Sequence, residues 1–543
     1  VLKKKVFDFY QRHHLSVLQG MVMLCAFVAS THAIGNNDYG LHLRIGQDIV
    51  QHPQWPSKNP YSYTAPQAFY PDHEWLSQVL MYAVYSVNGD AGMVFFQAFL
   101  MSLTLYLVMQ MFKKHPYRGV WHALVVWFFA FHHIEMRPHL LGWVLSVGVL
   151  LALQNARFTL VLALLVAWGN MHASVLLGAF VSAWTIHMHM KHTAPQKGWA
   201  WAAAYLIAPV CNPYGLHSYG LFFRIREHVS FVGEWKPYTA NTWHFWALVA
   251  YVVFLAWGLL EQRKKPTAAW LTDAAWCIVL SSWAFTASRN LVIMAIYLSP
   301  TLALWSFPRF KILHWHRWMY LAAALLCYAS SQYARVLQFR IDHTHLPVAA
   351  LDFLKRHNIA SPVFNDYDFG GYVLWKGFPD YPVYVDGRIE VYKGDVLNRY
   401  LHISTAQTGW EKLLEKQGIQ TVLIRPERAL SQALIKNPSW DLVYFDYNAV
   451  VFIRKNTSLN TRRLHNVSPY GHRNRNNIAQ ALEETTYLLQ ENPLFFGGYK
   501  IAAFLEARLG HHEKAVGLLK KHIALYPEGK KSADMQAFKS YLR

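Results

Sequence analysis

Charge is in short supply in this chain. Only 15% of its 543 residues are Asp, Glu, Lys or Arg, against about 25% in an ordinary soluble domain. Cysteine is scarcer still. The four present (Cys25, Cys211, Cys277, Cys327) lie within or at the ends of apolar runs, so no disulfide framework is indicated and no CxxC metal or redox motif exists. Walker A, GxGxxG and HExxH patterns are missing as well. Nucleotide-driven and zincin chemistry therefore have no support.

What stands in place of charge is apolar: 54% of residues are hydrophobic and 16% aromatic. They gather in runs such as LSVLQGMVMLCAFVAS, AGMVFFQAFLMSLTLYLVMQMF and WHFWALVAYVVFLAWGLL, each close to the ~20 residues that cross ~30 Å of hydrocarbon. A soluble protein holds one or two such runs as core helices. Here there are about eleven, most ended by charged clusters, which predicts a polytopic α-helical membrane protein of about 11 transmembrane helices. The expected crossings are 15–34, 91–112, 119–134, 140–155, 158–169, 174–190, 198–211, 243–260, 267–286, 290–306 and 318–337.

The formal net charge of +20 would suggest a nucleic-acid partner in a soluble protein. Much of the excess instead sits in short loops between apolar runs, where positive charge sets orientation, and no nucleic acid is read from it. With Lys3, Lys4 and Lys5 cytoplasmic, the clusters Lys113, Lys114 and Arg118, then Arg157, Lys191 and Lys197, then Arg263, Lys264 and Lys265, and finally Arg309, Lys311 and Arg317 also come out cytoplasmic. The first run lacks a cleavage signal after Ala33 and reads as an uncleaved anchor. This pattern predicts a multi-pass membrane protein with its N-terminus in the cytoplasm and its C-terminal domains outside it.

The opposite loops carry Asp38, Asp72, His73, Glu74, His132, His133, Glu135, Arg137, His139, His172, Asn212, Glu234, Arg289 and Asn290. A single loop-end charge is usually just solvated. Many ionisable groups on one membrane face mark that face as the working one.

After Leu337 the composition becomes that of a soluble domain. Helix-period segments (HLPVAALDFLKRHN, GWEKLLEKQGI, ALSQALIK) alternate with strand-like ones (TVLIR, DLVYFDYNAVVFIRK), which favours an α/β domain. The expected domains are a transmembrane region over 1–338 with a first extracytoplasmic loop at 35–90, an extracytoplasmic α/β domain over 339–456, a polar linker over 457–475 and a helical tail over 476–543. Within the tail, Gly498, Tyr499, Ala502, Leu505, Gly510, Ala515 and Pro527 resemble one tetratricopeptide unit. A partner-binding module and a simple helical hairpin packed on the α/β domain are both open readings.

The most motif-like stretch is GNNDYGLHLRIGQDIVQHPQWPSKNPYSYTAPQAFYPDHEWLSQVL. Asp38 lies within a few residues of the first crossing, and a second acidic cluster, Asp72-His73-Glu74, follows a Pro- and aromatic-rich segment. NMHAS, CNPYG, EWKP, SRN, VFNDYDFGGY and VDGR continue the pattern further along. Over about residues 15–400 this arrangement resembles the GT-C superfamily of membrane glycosyltransferases. More closely, it looks like a bacterial group of multispanning proteins placed among these glycosyltransferases, with a DHEWL first-loop motif and a C-terminal tetratricopeptide-like tail, which implies the bacterial inner (cytoplasmic) membrane as location. The resemblance implies transfer of a sugar from a polyprenyl-phosphate carrier to an extracytoplasmic acceptor (glycan, lipid or protein), with an essential acidic residue in the first loop.

That chemistry needs a carboxylate to deprotonate the acceptor and positive charge to stabilise the leaving phosphate. Asp38 is the candidate base, or alternatively the N-cap of the following helix. Glu74 is a second catalytic candidate, or a first-turn carboxylate favoured by the helix dipole. Asp38, Asp72 and Glu74 are candidate ligands for Mg²⁺ or Mn²⁺, which prefer hard oxygen donors. Arg137 and Arg289 are candidate phosphate contacts, or snorkelling side chains. His42, Asp72, His73, His139, His172, Asn290, Asn365, Asp366, Asp368, Asp386 and Arg388 complete the candidate substrate contacts. The Asn365–Asp368 stretch reads equally as an Asx-turn entering a helix. Two other functions fit the same composition: a transporter or flippase of lipid-linked saccharides, and a non-catalytic envelope assembly factor docking a protein partner through the tail.

Overall fold

The computed structural model describes residues 2–526 apart from 56, 219–235, 264–267, 306–314, 334, 360, 393, 456–460 and 473–476. Glu234, Lys264, Lys265, Arg309, Lys311 and Pro527 lie outside the described residues. The chain forms two compact units. The first comprises residues 1–34, 45–57 and 71–341, the second 35–44, 58–70 and 342–543.

The first unit is helical, and every expected crossing coincides with a helix. These are α1 (Leu2–Ala29), α3 (Trp75–Gln110), α4 (Pro116–Ala130), α5 (Pro138–Gln154), α6 (Phe158–Gly169), α7 (Val175–Met190), α8 (Pro195–Ile207), α9 (Trp243–Gln262), α10 (Ala268–Ala284), α11 (Asn290–Leu304) and α12 (Trp315–Tyr333). α2 (Tyr39–Gln51) contributes its first turns to the second unit and the rest to the first. Pro at the first position opens α4, α5 and α8, where its missing N–H costs nothing. Among the described residues, α3 and α9 are long and apolar enough to cross a bilayer; α5, α6, α7, α11 and residues 13–29 of α1 are shorter apolar helices.

α3 departs from expectation. The helix expected over WLSQVLMYAVY, opened by Glu74, and the crossing expected at 91–112 run together as one element from Trp75 to Gln110. The two halves meet at a break, Asn88 (φ −142°) and Gly89 (φ +54°), a conformation glycine adopts without steric penalty.

In the second unit a four-stranded sheet has the order β1-β2-β4-β3. β1 (Val363–Asn365) pairs in parallel with β2 (Thr421–Ile424). β2 pairs antiparallel with β4 (Val450–Arg454), and β4 with β3 (Trp440–Phe445). All strand residues but Arg454 are buried, as a sheet covered on both faces requires. Leu351, Phe353 and Leu354 of α13 (Val348–Arg356) and Leu430 and Leu434 of α17 (Ala429–Lys436) are fully buried as well. Each such side chain contributes about 1.5–3 kcal/mol relative to exposure. Between β1 and β2 lie α14 (Gly370–Gly377), α15 (Gly394–Ser404) and α16 (Trp410–Lys416).

Two boundaries differ from the sequence reading. Segments 35–44 and 58–70 of the first loop belong to the second unit: Ser62 bridges Val383, and the Tyr61 carbonyl accepts the Val383 N–H at 3.0 Å. The expected linker contains a small hairpin, β5 (Val467–Ser468) and β6 (Gly471–His472). The buried Glu484 carboxylate orders its approach by accepting the backbone N–H groups of His465, Asn466 and Val467 at 2.8–3.0 Å. Glu484 lies on α18 (Ile478–Glu491), which is followed by α19 (Phe496–Arg508) and α20 (His512–Leu525), with Gly510 at φ +84° in the turn. This tail packs on the α/β core: Glu491 pairs with Arg356 (2.6 Å) and His357 (2.9 Å), Asn492 donates to Tyr444 (3.1 Å), and Phe496 stacks on Tyr447.

Candidate active site

The motif residues gather in two clusters, one in each unit. The second-unit cluster is built where the chain leaves β1 and β2, the carboxyl ends of the parallel strand pair, a position that open α/β sheets commonly use for ligands. Asp366 directly follows β1. Its side chain accepts the Asp368 N–H at 3.2 Å, so the Asx-turn is real. The same buried carboxylate takes a two-pronged contact from Arg428, Nε at 2.8 Å and Nη2 at 2.9 Å. Arg428 also reaches Asp368 (3.2 Å), which pairs in addition with Arg425 (3.3 Å). Burial, then the neighbouring Asp366 charge, push the Asp368 carboxyl up, against the pull of Arg425 and Arg428.

The first-loop segment folds onto this cluster. Asn37 donates its side-chain amide to Asp368 at 3.0 Å. Asp38 is half-buried, its N–H bonded to the Asn36 side chain (2.7 Å) and its carbonyl accepting the His42 N–H (3.1 Å). A Cβ on Gly387 would lie 1.9 Å from Asp38 Oδ1, so the carboxylate rests on the bare backbone of the DGR turn. Two further motif glycines permit the approach. A Cβ on Gly371 would lie 2.1 Å from the Asn37 carbonyl, and one on Gly40 2.5 Å from the Gly371 carbonyl.

On either side of Gly387, Asp386 and Arg388 form a fully buried ion pair. Arg388 Nε and Nη2 donate at 2.9 and 2.5 Å, and the guanidinium lies over the rings of Tyr61 and Tyr70. Asn365 is enclosed, its amide bonded to the Asp366 and Val385 carbonyls and the Tyr384 N–H. Its polar atoms serve the backbone. Tyr367 lies among these charges: burial, then the carboxylates of Asp38, Asp386, Glu390 and Asp368, push its phenol well above the usual range.

The first-unit cluster forms where DHEWL, NMHAS and CNPYG meet. Asp72 is buried, and its Oδ1 accepts from the Glu74 N–H (3.0 Å) and the Gln78 amide (3.2 Å). Asn170 accepts from Trp75 Nε1 (2.9 Å) and donates to the Cys211 carbonyl (2.9 Å), while Ser77 donates to the Met171 carbonyl (2.8 Å). Burial and the Asp72 charge push the Tyr214 phenol up. Glu74 precedes α3 but makes no side-chain capping bond. Its Oε1 lies 3.7 Å from both His73 Nε2 and His172 Nε2. Burial drives the His73 imidazole down to about 4, so it is neutral at ordinary pH.

The other candidates of this unit are spread over separate turns. Arg137 Nε lies 3.4 Å from Glu135, and His139 Nε2 lies 2.9 Å from the His133 carbonyl. Arg289 is exposed just before α11, and the buried Asn290 donates to the Trp283 carbonyl and Thr286. Among the described residues no group of three or more His, Cys, Asp or Glu side chains is arranged to hold a metal ion. Of the candidate ligands, Asp72 and Glu74 belong to the first unit and Asp38 to the second. Sequence reasoning missed Asn37, Tyr367, Arg425 and Arg428. The two arginines follow a strand-like segment in RPER, the one local signal that pointed to them.

No protein-family model matches the chain, and no curated protein matches it. Among solved structures it is similar to ArnT from Cupriavidus metallidurans bound to undecaprenyl phosphate. The identity is 11%, the match covers 81% of this chain and 98% of that one, and the TM-score is 0.38. At that identity and TM-score the likeness decides nothing about fold, substrate or chemistry.

Proposed function

We propose that this chain is a multispanning membrane enzyme, and specifically a glycosyltransferase of the GT-C kind. It takes a sugar from a polyprenyl-phosphate carrier and passes it, with inversion, to an extracytoplasmic glycan, lipid or protein. The observation that carries this reading is the environment of Asp38. A first-loop carboxylate rests against the Gly387 backbone, its neighbour Asn37 is tied to Asp368, and so three sequence-distant motifs converge on one potential base.

The acceptor hydroxyl gives its proton to Asp38, and its oxygen bonds to the anomeric carbon as the bond from that carbon to the phosphate oxygen breaks. The electron pair leaves on polyprenyl phosphate. The developing charge on the leaving phosphate calls for a cationic partner, and guanidinium suits phosphate oxygens. Within the first unit, Glu74, with His73 and His172 beside it, is the proposed catalytic carboxylate. Asp72 organises the turn that presents it.

The test is to incubate the purified full-length protein in lipid with a panel of synthetic polyprenyl-phosphate sugars and acceptors. Release of polyprenyl phosphate together with an inverted glycoside is the expected result. Movement of intact lipid-linked saccharide across vesicles without any release would instead support a flippase.

A further inference from the structure

The NMHAS turn holds more than a candidate contact. His172 Nδ1 lies 3.1 Å from the Ser174 backbone N–H and 2.6 Å from Ser174 Oγ. A backbone N–H can only donate, so Nδ1 is the acceptor. In a neutral imidazole the proton then sits on Nε2, the nitrogen that faces Glu74 Oε1 at 3.7 Å. That distance is long for a direct hydrogen bond, but such contacts commonly tighten when substrate binds.

The hydroxyl has room to do this because residue 142, on α5, has no side chain. A Cβ there would lie 3.1 Å from Ser174 Oγ and 3.4 Å from His172 Nδ1. Ser174 sits at the start of α7 yet makes no capping bond to that helix. Ser is a favoured cap residue, and here its oxygen is turned toward the imidazole instead.

We propose that Ser174 and Gly142 are positioning residues that hold His172 in its Nε2–H tautomer and aim that proton at Glu74. The inference rests on the reading of Glu74 and His172 as parts of the transferase site. Ser174 supplies two donors to one nitrogen, and Gly142 leaves the space that keeps the hydroxyl there. Their effect on the reaction passes through the orientation of the ring.

The experiment combines a spectroscopic and a kinetic readout on the full-length protein in lipid. With ¹⁵N-labelled histidine, His172 of the wild type is expected to show an unprotonated, hydrogen-bond-accepting Nδ1. Ser174→Ala and Gly142→Ala are expected to weaken that signature and to lower kcat by about tenfold with KM little changed, a fraction of what general acid–base groups supply. Ser174→Thr, which retains the hydroxyl and the N–H, is expected to restore both. A wild-type His172 protonated on Nδ1 would overturn the proposal. So would a Ser174→Ala protein with the wild-type spectrum and wild-type kcat. A wild-type protein that shows the expected tautomer but transfers no sugar leaves the positioning geometry standing and refutes the transferase reading instead.

Discussion

Asp386 and Arg388 are removed from water together, so each depends on the other for compensation. Replacing one partner of such a pair leaves a stranded charge, which typically costs about 3–5 kcal/mol. Asp386→Asn is therefore expected to destabilise the full-length protein by about that amount in denaturant or thermal unfolding, and the double change with Arg388→Met to recover part of the loss. Gly387 between them acts differently. Its substitution by Ala puts a methyl group on the Asp38 carboxylate, and misplacement of a reacting group by about 1 Å can lower a rate about 100-fold. The expected outcome is a kcat lower by about that factor with a smaller change in melting temperature.

His73 gives the pH prediction. Burial holds its imidazole at about 4 in the folded protein, against about 6.5 when unfolded. Between these values the unfolded chain binds a proton that the folded one does not, so stability rises with pH across that window and is lost as pH falls from about 6.5 toward 4. Melting temperatures recorded against pH are expected to show this slope in the wild type and a flatter one in His73→Gln. The candidate residues themselves could be picked from the sequence, since carboxylates and arginines at loop ends stand out in so apolar a chain. Asn37 and Ser174 could not, because neither residue type is unusual in a turn.

Helices were the most legible elements. Their apolar runs are long and uniform, and each expected crossing coincides with a helix. The helix that Glu74 opens and the crossing at 91–112 are both legible; that they run on as one element does not show, because Asn88 and Gly89 carry the composition of a loop while the chain continues as helix after the break. The reading of 457–475 as a linker failed for another reason. The carboxylate that organises residues 465–467 lies 17 to 19 positions further on, at Glu484, beyond any local pattern. Removing it in Glu484→Ala leaves several donors without their acceptor, each costing about 1–3 kcal/mol if it stays buried. Hydrogen exchange is expected to accelerate across 465–472 in that variant while α19 keeps its protection. Unchanged exchange there would mean the hairpin is held by other contacts.

At the scale of the whole molecule the first loop is the instructive case. Its position in the sequence, just after an apolar run, assigned it to the membrane region. Segments 35–44 and 58–70 instead count with the α/β unit, through bonds such as Asn37 to Asp368 that join residues 331 positions apart. Periodicity and composition cannot reveal pairing at that separation. The orientation proposed from the basic loops is open to direct measurement: in a cysteine-free background, Ser439→Cys is expected to react with an impermeant thiol reagent in intact cells, and Lys114→Cys only after permeabilisation.

The measurement that bears most directly on the account is sugar transfer by wild type and Asp38→Asn in the same lipid vesicles, with equal amounts of folded protein. Loss of an acting base predicts a rate lower by about 100-fold or more in the variant, with donor binding retained. Equal rates from the two proteins would contradict the assignment of Asp38 as the base on which the proposed reaction depends.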